Sequence, residues 1–346
     1  MAPTSRPLIT VIGSLNYDSI TYVERPARPG ESITALDSQE GPGGKGANQA
    51  VAAHRLNREK RDSKGTIDVS MVGAVGGKDA LGPDVLSNLY ADGIDVSRVL
   101  TRADWRTGRA TITIDSSTGE SYVVLTPGAN HSLRPEDFPT VDSLLVRDGR
   151  RPNLLILQLE IPLKTVERIV TIAGQEKIPV LLNPAPADSL LTPTWKFVTH
   201  LIANETEAAI LAGEELENIQ RQWVVGWEAV ADKFHGLGVK YVVITLGANG
   251  VIFSDKVGGA VHRKAVRVRK VIDTTTAGDT FVGAYAESIV QQDPNKLNIG
   301  LAVDRALQAA ACVVQKAGTQ NTIPWDGDMF RILKRRDSEY VPRPSQ

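Results

Sequence analysis

Short apolar runs rich in β-branched residues recur along this chain with helix-period segments between them, and that alternation restricts the fold more than any other property of the sequence. The runs are LITVIGSL (8–15), IDVSMVGAV (67–75), LLILQL (154–159), IPVLLN (178–183), HLIA (200–203) and YVVITL (241–246). They are continuously apolar rather than alternating, so each reads as a strand buried on both faces. Helical patterns at 46–57, 165–176 and 205–212 lie between several of them. This order predicts an α/β fold, a three-layer α/β/α sandwich around a mostly parallel central sheet.

Two stretches break the rhythm. DSITYVERPARPGESITAL (18–36) and GRATITIDSSTGESYVVLT (108–126) alternate polar and apolar residues around Gly- and Pro-containing turns, the pattern of antiparallel ribbons. Both leave the α/β pattern and return to it, so they are expected to pair into one small sheet beside the main domain, placed to act as a lid.

With 39 basic against 40 acidic residues in 346, the charge balance points to neither a nucleic-acid nor a membrane partner, and the expected ligand is small. The single cysteine, Cys312, excludes an intrachain disulfide and fits a reducing compartment. No apolar run approaches the roughly 18 residues that span a bilayer, and the N-terminal run is too short for a signal-peptide core. The expectation is a cytoplasmic protein, with the nucleus also open to it. The basic run RLNREKRDSK (55–64) reads as a solvated loop, Trp223 and Trp227 as packing residues on one helix over 217–234, and the tail after Pro324 as peripheral.

The chemistry centres on VIDTTTAGDTF (271–281). VRVRKVID (266–273) reads as a strand, and Phe281, Tyr285 and Ile289 give the following segment a helical apolar stripe. The loop thus ends at a helix N-terminus, where unpaired amides and the macrodipole favour an anion and Gly278 permits close approach. From this stretch alone Asp279 is equally well a capping acid or a catalytic base. GPGGKGANQAVAAHRLN (41–57) surrounds Lys45 with glycines before an Ala-rich helix. It is not a Walker A loop, since Gln39 and Gly46 stand where that pattern needs Gly and Ser or Thr, and the chain has no strand–GxGxxG–helix unit. Such a loop is either a plain helix entry or a set of donors for a polyhydroxylated ligand. Asn16, Asp18 and Glu160 each read alone as turn or cap residues, but together they follow strand ends and are placed to converge with the glycine loop. Asn204 with Glu207 has the capping-box form, and TLGANG (245–250) is either a hairpin connection or a nucleotide-contacting turn.

Taken in order, Asn16/Asp18, GPGGKGANQA, QLEIP, NPAPA, NETEA, TLGANG and DTTTAGDTF resemble the ribokinases of the PfkB carbohydrate kinase family, from residue 8 to residue 324. The resemblance implies one kinase domain over 1–346, with lid ribbons at 18–40 and 104–127 and a peripheral tail at 325–346. It implies transfer of the ATP γ-phosphate to the 5-hydroxyl of D-ribose, with Asp279 as base and an anion hole from the amides of Thr276, Ala277, Gly278 and Asp279. Asn16, Asp18, Gly44, Lys45, Asn48, Glu160 and Asp279 would hold the ribose. Asn204, Glu207, Thr245, Gly247, Gly250 and Gly278 would contact the nucleotide, with Mg²⁺ held through water. Potassium would bind at Asp273, Thr275, Val313, Lys316, Gly318 and Thr322, and a homodimer would form through the lids.

One position departs from the family pattern: Thr276 stands where a glycine is usual. If that position required a positive φ, a β-branched residue would cost on the order of 1–2 kcal/mol. The alternatives are a sugar- or nucleotide-binding protein on the same fold with catalysis impaired by Thr276 and, as a separate question of specificity, a PfkB kinase for another sugar.

Overall fold

The computed structural model describes residues 6–332 apart from 62, 119–120, 147, 189, 191 and 330. In chain order its strands are β1 (Leu8–Ile12), β2 (Asn16–Val23), β3 (Asp37–Gly43), β4 (Asp68–Gly76), β5 (Asp95–Arg102), β6 (Gly108–Asp115), β7 (Ser121–Thr126), β8 (Leu154–Gln158), β9 (Val180–Asn183), β10 (His200–Asn204), β11 (Tyr241–Thr245), β12 (Val251–Asp255) and β13 (Gly259–Arg263). The helices are α1 (Lys45–Arg55), α2 (Leu81–Asp92), α3 (Leu163–Gln175), α4 (Thr192–Trp195), α5 (Glu205–Ala212), α6 (Leu216–Gln222), α7 (Val224–Leu237), α8 (Ala277–Val290) and α9 (Ile299–Val313).

The central sheet runs β13-β12-β11-β10-β9-β8-β1-β4-β5. It is parallel from β11 to β5, with β12 and β13 added antiparallel at one edge. Successive residues of a strand face opposite sides, so each apolar run feeds two cores. Ile9 and Val11 of β1 and Val243 of β11 pack with α1, α2, α8 and α9. Ile12, Val242 and Ile244 pack on the other side with α3, α5 and α7. The continuous apolarity of the runs follows from burial on both faces.

The two ribbons form a second sheet of order β3-β2-β6-β7. Each ribbon is antiparallel, and β2 joins β6 in parallel. The run 8–15 does not form one strand. β1 stops at Ile12, and the chain passes Gly13, where a Cβ would lie 1.9 Å from Gln158 Oε1, before β2 begins at Asn16. Asn16 and Asp18 therefore stand at the base of the small sheet, not at the end of a central strand.

Other expectations change on packing. Residues 266–273 form no strand: the Val/Arg alternation has period two, but Val271 and Ile272 are exposed and the segment is anchored by the Ile272 amide donating to the Val314 carbonyl at 2.7 Å. Trp223 and Trp227 do not share a helix, because Trp223 breaks it at φ 47° between α6 and α7. Trp227 is fully buried and Trp223 is partly exposed against His262. The basic run is solvated only in part. Arg55 is buried, donating to Asp92 at 2.7 Å and to the carbonyls of Gln320 and Ile323, and buried Arg58 donates to the His54 carbonyl. In the tail, Met329 is buried in the core and Asp326 accepts from Arg305 at 2.8 Å, while 333–346 lie outside the described residues.

Candidate active site

The parallel strands place polar residues at their carboxyl ends. Gln158, Asn183, Asn204 and Thr245 are the last residues of β8, β9, β10 and β11, and Gln158 faces Asn183 as Asn204 faces Thr245 in the register. The strand order reverses beside β1, between β1 and β8, which is where open α/β sheets bind ligands. There Ser14 Oγ donates to Glu160 at 2.6 Å, and Glu160 also accepts from the Lys45 amide at 3.3 Å.

The glycine loop is shaped by contact with this crevice. Gly44 has φ 90°, and a Cβ there would lie 2.8 Å from the Asn16 amide nitrogen. A Cβ at Gly43 would lie 1.9 Å from Asp18 Oδ2. Asn16 is fixed by Asn130, whose amide donates to its Oδ1 at 2.7 Å. Every residue of α1 from Gly46 to Arg55 is buried, and its alanines let α8 approach closely: a Cβ at Gly283 of α8 would lie 2.6 Å from the Ala53 amide nitrogen. That close packing brings Asn48 and Gln49 onto Asp279. Asn48 Nδ2 donates to Asp279 Oδ2 at 3.0 Å and Gln49 Nε2 to Oδ1 at 2.9 Å.

Asp279 lies in the first turn of α8, whose N-cap is Thr276. The Ala277 amide donates to the Thr274 carbonyl at 3.1 Å and the Thr280 amide to the Thr276 carbonyl at 2.9 Å, leaving the Gly278 and Asp279 amides without a helical acceptor. Gly278 is exposed, and nothing lies within 4 Å of where its Cβ would be. Thr276 has φ −100° and is buried, its hydroxyl 3.2 Å from that of Thr322. A β-branched residue is unstrained there, because the position is not left-handed.

Charges converge around Lys45. Burial pulls its ammonium down, but Asp279, Glu160, Glu207 and Asp18 outweigh that and hold it above the usual range. Asp18 is pushed up to about 7 by burial and by Glu160 and Asp279, against the opposing pull of Lys45 and the Gly44 amide. Its Oδ1 is buried without a hydrogen-bond partner. Glu207 is raised by burial, offset by the Asn204 amide and Lys45. Asn204 and Glu207 form the reciprocal cap, at 2.9 and 2.8 Å. Gly247 and Gly250 form the turn that joins β11 to β12, with φ 53° and 95°.

Beside the α8 N-terminus, Asp273 Oδ1 accepts from the Thr275 amide at 2.8 Å and hydroxyl at 2.6 Å, and Oδ2 accepts from the Gly318 amide at 3.2 Å. Thr322 reaches the same place through Thr276, and the Lys316 amide donates to the Val313 carbonyl at 3.0 Å. The site thus joins a polar crevice, a carboxylate held by two side-chain amides, and helix amides that have no internal acceptor.

A model of the pfkB family carbohydrate kinases matches residues 6–326. The chain belongs to this family. It is 38% identical over 324 residues to the ribokinase of Schizosaccharomyces pombe, covering 91% of this chain and 94% of the relative. The ribokinase structure from Thermotoga maritima superposes with a TM-score of 0.76 at 30% identity, covering 95% of this chain and 99% of that one. The Arabidopsis thaliana ribokinase, solved with ribose and ATP, gives 0.75 at 27% identity over 96% and 99%. The fold of this family member is the ribokinase-like one. Sequence reasoning missed Gln49, Gln158, Asn183, Asn130 and Gln320, all buried and all bonded into the site. A signal was present for two of them: LLILQ and VLLN each end an apolar run on a carboxamide.

Proposed function

We propose that the chain phosphorylates D-ribose at its 5-hydroxyl with ATP, with Asp279 as general base. The ribokinase relatives support the substrates. The observation that carries the site assignment is Asp279 itself: its carboxylate is gripped by Asn48 and Gln49 at the helix end that offers the Gly278 and Asp279 amides. In this reading Asn16, Asp18, Gly44, Lys45, Asn48 and Glu160 bind the sugar hydroxyls, and the unpartnered Oδ1 of Asp18 gains a hydroxyl donor when sugar arrives. Asp279 takes the hydroxyl proton as the sugar oxygen bonds to the γ-phosphorus. The bond from that phosphorus to the bridging oxygen breaks, and its electron pair leaves with ADP. The amides of Gly278 and Asp279, that of Ala277 being turned to the Thr274 carbonyl, and the Lys45 ammonium offset the charge on the moving group.

Asn204, Glu207, Thr245, Gly247 and Gly250 line the nucleotide side. Mg²⁺ would be carried by phosphate oxygens and waters, with Glu207 holding it through water. Bound Mg²⁺ would supply charge neutralisation of the β- and γ-phosphates. The oxygen donors at Asp273, Thr275, Val313, Lys316, Gly318 and Thr322 suit potassium, whose binding would stiffen the loop before α8. The small sheet closes over the sugar. Its edge strand β7 exposes Tyr122, Val123, Val124 and Leu125, and a second copy of the chain covering them gives a homodimer. Among the described residues no helix is long and apolar enough to cross a membrane, and we place the enzyme in the cytoplasm.

A coupled assay of ADP release with ribose, deoxyribose, fructose or adenosine, with and without K⁺, tests the assignment. Ribose should give the highest kcat/KM, and Asp279→Asn should lower kcat by about 10²–10⁴-fold. Near-normal turnover in Asp279→Asn would remove the base assignment, and sizing chromatography showing a monomer at micromolar concentration would remove the dimer.

A further inference from the structure

We propose that two chains of carboxamides, all with their NH₂ ends toward Asp279, make Gln49, Gln320 and Asn88 positioning residues for phosphoryl transfer. The proposal rests on Asp279 as the base.

The first chain runs inward from the sheet. Gln158 Nε2 donates to Gln49 Oε1 at 2.6 Å, and Gln49 Nε2 donates to Asp279 Oδ1 and to Asn183 Oδ1, both at 2.9 Å. Asn183 is itself held by donating to the Ile202 carbonyl at 2.9 Å. The second chain comes from α2. Asn88 Nδ2 donates to Gln320 Oε1, Gln320 Nε2 donates to Asn48 Oδ1 at 3.2 Å, and Asn48 Nδ2 donates to Asp279 Oδ2 at 3.0 Å.

The polarity follows from chemistry. A carboxylate only accepts, so the amide beside it must present its NH₂ group, and its carbonyl then faces the next amide, which must also donate. Reversing any one link sets two oxygens face to face. Bonds aligned in this way polarise one another in a low-dielectric interior. The cost of the alignment is visible at the end of the first chain, where Gln158 Oε1 is buried with no donor. Gln158, Gln49 and Asn48 sit on β8 and α1, so the carboxylate plane is fixed by rigid elements while its remaining lone pairs stay open to the sugar hydroxyl. Gln158, Gln320 and Asn88 do not touch Asp279 and act on it only through Gln49 and Asn48.

Asn88 gives the clearest test. It is half-buried and, with Gln320, lines a cavity of about 470 Å³, so a carboxylate is tolerated there. Asn88→Asp sets an acceptor against Gln320 Oε1 and drives the chain to reverse; Asn88→Leu only removes a donor. We expect Asn88→Asp to lower kcat by about tenfold and Asn88→Leu by less than about threefold, and Gln49→Met to lower kcat by up to about 100-fold, each with KM for ribose and ATP within about twofold. Melting curves of the same samples exclude loss of folded protein as the cause. Equal kcat for the two Asn88 variants, or unchanged kcat in Gln49→Met, would overturn the proposal. If Asp279→Asn abolished turnover while the Asn88 variants matched, only this inference would fail. If Asp279→Asn retained turnover, the base assignment beneath it would fail.

Discussion

At residues 43–46 three glycines sit where the protein's own atoms leave no room for a side chain, whereas at 276–279 Gly278 faces open space and Thr276 is accommodated. In the first loop a Cβ would meet Asp18, the Asn16 amide or the Ser14 amide at 1.9, 2.8 and 2.7 Å for Gly43, Gly44 and Gly46. In the second, nothing of the protein approaches Gly278 within 4 Å. The proposed sugar loop therefore needs glycine to fold, and the proposed anion loop would need it only for a ligand. Substitutions should separate the two needs.

Gly278→Ala should leave stability unchanged or slightly raised, because α8 gains a better helix former, while kcat falls by about 10²-fold as the methyl group enters the phosphate position. Denaturant unfolding together with turnover checks this, and a stability loss equal to that of Gly44→Ala would erase the contrast. Gly44→Ala should lose about 1–3 kcal/mol in urea unfolding, since it combines a left-handed backbone with a backbone clash, and should raise KM for ribose.

Asp18 sharpens the comparison through pH. Its folded pKa is about 7 against an ordinary 3.8, so between those values the folded chain binds more protons than the unfolded one. Stability of the sugar-free protein should fall as pH rises from about 4 to about 7 and level off above that. Asp18→Asn should flatten that slope in melts across the window while weakening ribose binding. The smallest effect belongs to Thr276→Gly. It loses the Thr322 hydroxyl contact and gains freedom in the unfolded chain, about 1 kcal/mol in urea unfolding, with turnover changed by less than about tenfold.

Much of the fold was legible because burial on both faces leaves continuous apolar runs, and LLILQ and YVVIT needed no partner to be read as strands. Edge strands were less legible. β5 (DVSRVLTR) and β13 (GAVHR) are half-exposed and carry polar residues, while VRVRKVID, exposed over 269–272, has the period of a strand without a ladder. The sugar loop and Asp279 stood out as motifs, but Gln49 looked like one more residue of an Ala-rich helix until α8 closed against it.

By itself the sequence determined the layer architecture and the order of the loops, since these follow from local periodicity and from where strands must end, and the resemblance of those loops to the family's singled out the residues proposed to meet sugar and phosphate. Only the tertiary structure decided that Thr276 is unstrained, because φ at that position depends on how the loop meets Thr322 and α8. It alone decided that both oxygens of Asp279 are held by amides, because Asn48 and Gln49 lie some 230 residues before Asp279 in the chain and meet it only when α1 packs against α8.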